Sequence, residues 1–175
     1  MMVVVTGGSG SGKSAFAEDK ILSFGEGRRI YIATMHPYDE ESHLRVRRHR
    51  KMREGKGFET VECYTGLSSL EFEKNPVLLL ECMSNLAANE MFEESGAGTH
   101  TVEAIVEGVK KIKAQAKHLV IVTNEIFSDG ILYEGESEKY KEQMGKINCN
   151  LAEMADAVVE VVYGIPVWHK GGEKA

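Results

Sequence analysis

The sequence predicts an α/β fold with helices packed on both faces of a mostly parallel sheet, and three observations predict it. Short β-branched runs alternate with longer amphipathic segments along the chain. Three of those runs, near residues 4, 79 and 121, are almost uniformly apolar, as central strands covered on both faces must be. The first run passes at once into "GGSGSGKS" and then into a helical pattern, the strand–loop–helix order of a phosphate-binding P-loop.

The elements follow in order from the same periodicities. Strands are expected at 2–6 (MVVVT), 29–34 (RIYIAT), 58–62 (FETVE), 76–81 (PVLLLE), 118–123 (HLVIVT) and 157–164 (AVVEVVYG). Helices are expected near 13–23, 39–53, 84–94, 101–116 and 137–155. Two breaks read as loops, "EESGAGTH" and the long "NEIFSDGILYEGES". The second begins at the carboxyl end of a central strand, where open parallel sheets bind their ligands. The tail "HKGGEKA" is expected to fray.

A chain of 175 residues suits one domain, here a single P-loop nucleotide-binding domain over 1–175. No apolar run approaches the roughly 18 residues of a membrane span. The N-terminus has no basic flank before its apolar run, so it reads as a buried strand rather than a signal peptide, and a cytoplasmic protein is expected. Cys63, Cys82 and Cys149 are an odd set without C-x-x-C spacing, which fits reduced thiols better than a disulfide frame or a zinc site.

Net charge is −6, yet "HLRVRRHRKMR" at 43–53 carries six basic residues and no acid. Without it the chain has 15 basic residues against 27 acidic ones. An acidic surface with one basic stretch disfavours nucleic acid and favours a small, highly charged anion.

Residues 7–14 satisfy G-x-x-x-x-G-K-[ST] in the required context. The backbone N–H groups of Gly7, Gly8, Ser9, Gly10, Ser11 and Gly12 are expected to surround a phosphate, aided by the helix dipole that begins near Gly12. Lys13 is expected to reach the β- and γ-phosphates, and the Ser14 hydroxyl to hold Mg²⁺. The cation also needs a carboxylate at a strand end. Glu81 and Glu125 both qualify by position, and either could instead cap the element that follows.

On a helix, Arg45, His49 and Arg53 share one face, with Arg48 and Lys51 to the side. Three fates are open to such a stretch: a solvated face, a nucleic-acid patch, or part of an active site. A solvated face normally mixes signs, and a nucleic-acid patch normally carries stacking aromatics; this stretch does neither. In an active site the arginines clamp phosphates and hold His49 neutral, which makes it a nucleophile toward phosphorus.

The ordered set "VVVTGGSGSGKSAFAE", "IYIAT", "DEE", "RVRRHRKMR", "FETVEC", "LLLECMSNLAANEMF", "IVTNE" and "GKINCNLAEMADAVVEVVYGIPV" resembles the bifunctional adenosylcobinamide kinase / adenosylcobinamide-phosphate guanylyltransferase family of cobalamin assembly, over nearly the whole chain. The resemblance implies a RecA-like sheet and a homotrimer. It implies adenosylcobinamide, its phosphate, GTP and ATP as substrates with Mg²⁺, and no nucleic acid. It makes His49 the residue that takes up GMP. It assigns nucleotide contacts to Gly7 through Ser14, Thr34, Arg50, Lys51, Arg53, Glu62 and Glu81, with Ser14 and Glu81 at the metal. The chain departs from the family after "TNE", where Phe127 stands in place of a usual glycine, one residue is added and a proline is missing. Basic residues usual in the next helix are partly replaced by "EKYKEQ". The competing readings are a P-loop small-molecule kinase without covalent GMP chemistry and a nucleotide-dependent binding module.

Overall fold

The computed structural model describes residues 1–128, 130 and 134–172. The elements run β1 (Met2–Thr6), α1 (Lys13–Ser23), β2 (Arg29–Ala33), α2 (Glu40–Arg53), β3 (Phe58–Glu62), β4 (Val77–Glu81), α3 (Met83–Phe92), α4 (Thr101–Gln115), β5 (His118–Val122), α5 (Glu136–Met154), β6 (Ala157–Val162) and β7 (Ile165–Lys170). Short 3₁₀ turns lie at Leu67–Ser69 and Gly98–His100.

All seven strands form one sheet in the order β3-β2-β4-β5-β1-β6-β7. Every pairing is parallel except that of β6 with β7. Because side chains alternate across a strand, consecutive residues of the apolar runs serve opposite faces. Met2, Val4, Leu78, Leu80, Leu119 and Ile121 pack with α3, α4 and α5 through Leu86, Ile105, Ile112, Ile147 and Leu151. Val3, Val5, Leu79, Val120 and Val122 pack on the other face against Ala17 and Ile21 of α1. The sheet is thus sandwiched, which is why its central strands need no polar side.

The last strand departs from expectation. The run 157–164 ends as a strand at Val162, because Tyr163 (φ 52°) and Gly164 (φ 80°) form a two-residue turn of the kind that joins tight hairpins. The chain then returns antiparallel as β7, so His169 and Lys170, expected in a frayed tail, belong to the sheet. Pro166 is tolerated because β7 is an edge strand. Residues 173–175 of that tail lie outside the described residues, as do 129 and 131–133 of the long loop.

The parallel order sends the carboxyl ends of β1, β2, β4 and β5 to one edge of the sheet. The loop after β1, the chain entering α2, and residues 81–85 and 123–125 therefore meet there.

Candidate active site

The loop after β1 is built for close backbone approach. Gly7 has φ 152°, and a Cβ on it would stand 2.6 Å from the Val161 carbonyl oxygen. Gly12 caps α1 at φ 93°, a left-handed conformation that side chains resist. The hairpin tip braces the loop, since the Gly164 N–H donates to the Ser11 carbonyl at 2.8 Å. Lys13 is 9% exposed and its Nζ donates to the Gly8 carbonyl at 3.0 Å, folding the side chain back over the cradle. Burial lowers its pKa, opposed by Cys82 and Glu81.

Glu81, at the end of β4, is the hub of the site. Its carboxylate accepts a hydrogen bond from the Ser14 hydroxyl. The same Oε1 lies 3.7 Å from Nδ1 of His49. Glu81 is 7% exposed, and its Oε2 is buried without a hydrogen-bond partner. A hydroxyl and a carboxylate with an unused lone pair are hard oxygen donors of the kind Mg²⁺ takes when phosphates and water complete its shell. The pair fits that ion. Among the described residues no group of three or more His, Cys, Asp or Glu could hold a metal.

Glu125, the other carboxylate considered, is engaged elsewhere. It accepts the backbone N–H groups of Phe127 (2.8 Å) and Ser128 (3.1 Å), capping its own turn.

Helix α2 begins with a capping box: Asp39 accepts the Ser42 N–H at 2.7 Å, and the Ser42 hydroxyl accepts the Asp39 N–H at 3.0 Å. Of its fourteen residues only Arg53 is buried. Ser42, Val46, His49 and Arg53, with Met52 beside them, are its more covered positions, a 4-3-4 stripe facing the body. Arg53 lies flat on Tyr31 of β2, 3.3 Å from the ring centroid, with Nη1 buried and unpartnered. Arg45 turns away and pairs with Glu41 at 2.5 Å. The expected stripe of Arg45, His49 and Arg53 is therefore completed by Val46 rather than Arg45. The charge facing Nδ1 of His49 is a carboxylate, not the guanidinium expected.

One cavity of about 870 Å³ gathers Ser9 through Ser14, His49, Arg50, Arg53, Glu62 and Glu81. Arg50 and Glu62 stand 3.6 Å apart at its mouth. Gly7 and Gly8, expected in the cradle, are not among its lining residues. Lys51 lies off it, on a shallow groove with Arg50 and Arg53. Thr34 is fully buried and structural in placement: its hydroxyl donates to the Cys82 carbonyl and accepts the Cys82 N–H, both at 2.8 Å. It ties β2 to the strand end that carries Glu81.

Sequence reasoning missed Tyr31, Tyr64, Cys82, Asn85 and Asn124, which also line the cavity. Asn124 had a signal, standing two residues beyond the apolar end of β5, where parallel sheets bind their ligands. Such a cavity can hold a polyphosphate and a divalent cation, with an imidazole beside them.

Known proteins resemble this chain in sequence and in fold. A sequence model of the family described as cobinamide kinase / cobinamide phosphate guanyltransferase matches residues 3–168. The bifunctional adenosylcobalamin biosynthesis protein CobU of Escherichia coli (strain K12) is 32% identical over 186 residues, covering 95% of this chain and 98% of that protein. In structure the chain is similar to the flagellar accessory protein FlaH of Methanocaldococcus jannaschii (TM-score 0.55, 14% identity, 99% of this chain and 81% of that one). It is also similar to a KaiC-like protein of the hyperthermophilic archaeon Pyrococcus horikoshii OT3 (TM-score 0.50, 14% identity, 91% and 71%). Those likenesses show a RecA-like P-loop NTPase fold. With a family match across 3–168 and a full-length relative above 30% identity, the chain belongs to the cobinamide kinase / cobinamide phosphate guanyltransferase family.

Proposed function

We propose that this protein phosphorylates adenosylcobinamide with a nucleoside triphosphate and then transfers GMP from GTP to the product through a guanylylated His49. The observation that carries the reading is Glu81, whose carboxylate meets both the P-loop hydroxyl Ser14 and the ring of His49. A nucleotide gripped by the loop and the imidazole thus share one anchor.

In the first reaction the alcohol oxygen bonds to the γ-phosphorus and the β,γ-bridging bond breaks. Lys13 and the backbone of residues 7–14 orient the phosphates and neutralise their charge. In the second, an imidazole nitrogen bonds to the α-phosphorus of GTP and pyrophosphate leaves. The cobinamide phosphate then attacks that phosphorus, the N–P bond breaks, and His49 is regenerated. With Nδ1 turned to Glu81, Nε2 carries the attacking lone pair. Arg50 and Arg53, which line the same cavity, stabilise charge on the phosphates. Mg²⁺ held by Ser14 and Glu81 supplies further charge neutralisation. Glu62 contacts nucleotide beside Arg50, Lys51 acts from the groove beside the cavity, and Thr34 serves the site indirectly by holding the strand end that carries Glu81. Either ATP or GTP serves as donor in the kinase step. The chain works as one nucleotide-binding domain and, as the resemblance implies, as a cytoplasmic homotrimer. No helix among the described residues is long and apolar enough to cross a membrane.

Incubation with [α-³²P]GTP and Mg²⁺ tests the reading. Label is expected on the denatured protein, acid-labile and base-stable as a phosphorus–nitrogen bond is. His49→Ala is expected to abolish it, and Lys13→Ala to lower nucleotide use in both reactions. An unlabelled wild-type protein that still transfers phosphate to cobinamide would identify a small-molecule kinase instead.

A further inference from the structure

The arginines of α2 supply one side of the cavity, while the ends of β4 and β5 and the first turn of α3 supply uncharged groups: Cys82, Asn124 and Asn85. The steps above make no use of Asn124. Its place is set by the sheet. Val122 pairs at once with Val5 of β1 and Glu81 of β4, so β5 runs between the strand that leads into the phosphate loop and the strand that ends in the central carboxylate. Beyond Val122 the chain stays beside the cradle, with the Glu125 N–H donating to the Gly7 carbonyl at 3.1 Å. Asn124 therefore enters the cavity between the phosphate loop and Glu81.

Its amide is held in one orientation. Nδ2 donates to the Ser84 hydroxyl at 2.6 Å. Ser84 is itself fixed, its hydroxyl 3.1 Å from the Cys82 thiol and its carbonyl accepting the Tyr140 hydroxyl at 3.0 Å. The preceding Thr123 is locked by a 2.8 Å hydrogen bond from its hydroxyl to Asn148 Oδ1. An asparagine side chain has two N–H donors and a carbonyl acceptor. The Ser84 bond uses one donor, and among the described residues Oδ1 takes no hydrogen bond.

We propose that Asn124 positions the alcohol acceptor of the kinase step; this rests on the reading of the cavity as the site of both reactions. Its second N–H donates to an oxygen of the phosphoryl group in transit, and Oδ1 accepts from the cobinamide hydroxyl, aligning that oxygen with the γ-phosphorus. The alcohol O–P bond forms, the β,γ-bridging P–O bond breaks, the nucleoside diphosphate leaves with the electron pair, and the hydroxyl proton passes to water. Asn124 takes no proton. A neutral amide suits this place because it can serve donor and acceptor together without the repulsion a carboxylate would bring to phosphate. The two nucleophiles are then served by different elements: α2 presents His49 to the α-phosphorus, and β5 presents the alcohol to the γ-phosphorus.

The test compares Asn124→Ala with wild type in two assays on the full-length protein: kinase turnover with adenosylcobinamide, and His49 labelling by [α-³²P]GTP. The ratio of kinase kcat to labelling rate is expected to fall by about 100-fold, the usual cost of one preorganised donor, with the KM for the triphosphate nearly unchanged. Parallel loss of both activities, or an unchanged ratio, overturns the proposal. Should Asn124→Ala fail to fold, Ser84→Ala frees the amide, and about a 10-fold fall of the same ratio is expected; an unchanged ratio again overturns it. Absence of label in wild type would instead defeat the guanylylated histidine and leave the kinase comparison to stand alone.

Discussion

His49, Ser14 and Glu81 come from three separate stretches of sequence, and they meet because β4 ends beside the loop that follows β1. The loop itself was legible beforehand, since its chemistry is written in eight consecutive residues. By position alone Glu81 and Glu125 both stayed open for the cation, and it was the resemblance that chose Glu81. Glu81 closes β4, whereas Glu125 lies in the loop beyond β5, where its carboxylate caps the turn at 125–128. Glu81→Gln keeps the shape and the hydrogen bond with Ser14 but removes the charge. The Mg²⁺ concentration for half-maximal turnover is expected to rise by at least about tenfold; an unchanged Mg²⁺ titration would remove Glu81 from the cation site. The cysteines make a second test at this scale. Burial pushes the Cys63 thiol up to about 11, whereas Cys149 is exposed. At pH 8 the thiolate fraction of Cys63 is roughly a thousandth. Iodoacetamide is therefore expected to modify Cys149 in the native protein and Cys63 only after unfolding, read by mass spectrometry.

Helix α2 was legible as a helix near 39–53, yet neither its cap nor its orientation was. A helix charged nearly all round offers no apolar stripe to decide which face turns inward. The deciding contacts, Arg53 on Tyr31 and His49 by Glu81, are between residues distant in sequence. Strand β7 escaped detection for another reason: the strand read at 157–164 absorbed the turn residues Tyr163 and Gly164, because the turn carries Tyr rather than Asn or Asp before its glycine. Since α2 buries only its last residue, its order depends on its own cap more than on packing. Asp39→Ala is expected to make the amides of residues 40–48 exchange roughly fivefold faster, while those of β1 and β4 keep their protection. Equal acceleration in both regions would mean that α2 is part of the global folding unit.

The sheet joins the chain's beginning to its end: β1, first in sequence, is clasped between β5 and β6. One side chain closes that clasp. Asp156, just before β6, accepts the Met2 N–H at 2.6 Å, while its own N–H donates to the Met2 carbonyl at 2.9 Å. The Met2 hydrogen bond holds the Asp156 carboxyl below its ordinary value of 3.8, the same interaction that fastens β1. A carboxyl whose folded pKa is depressed contributes its stability above the unfolded pKa and loses it as pH falls through the folded one. The contribution is complete at neutral pH and disappears on the acid side of 3.8. Because Asp156 is exposed, solvent screening limits it to at most about 1 kcal/mol. Urea unfolding of wild type and Asp156→Asn is therefore expected to differ by a constant amount from about pH 8 down to about 5, and to converge below 3.8 as the wild-type carboxyl protonates. A difference that persists unchanged at about pH 3 would mean that the carboxylate's charge has no part in holding the first strand, and that shape alone keeps β1 against β6.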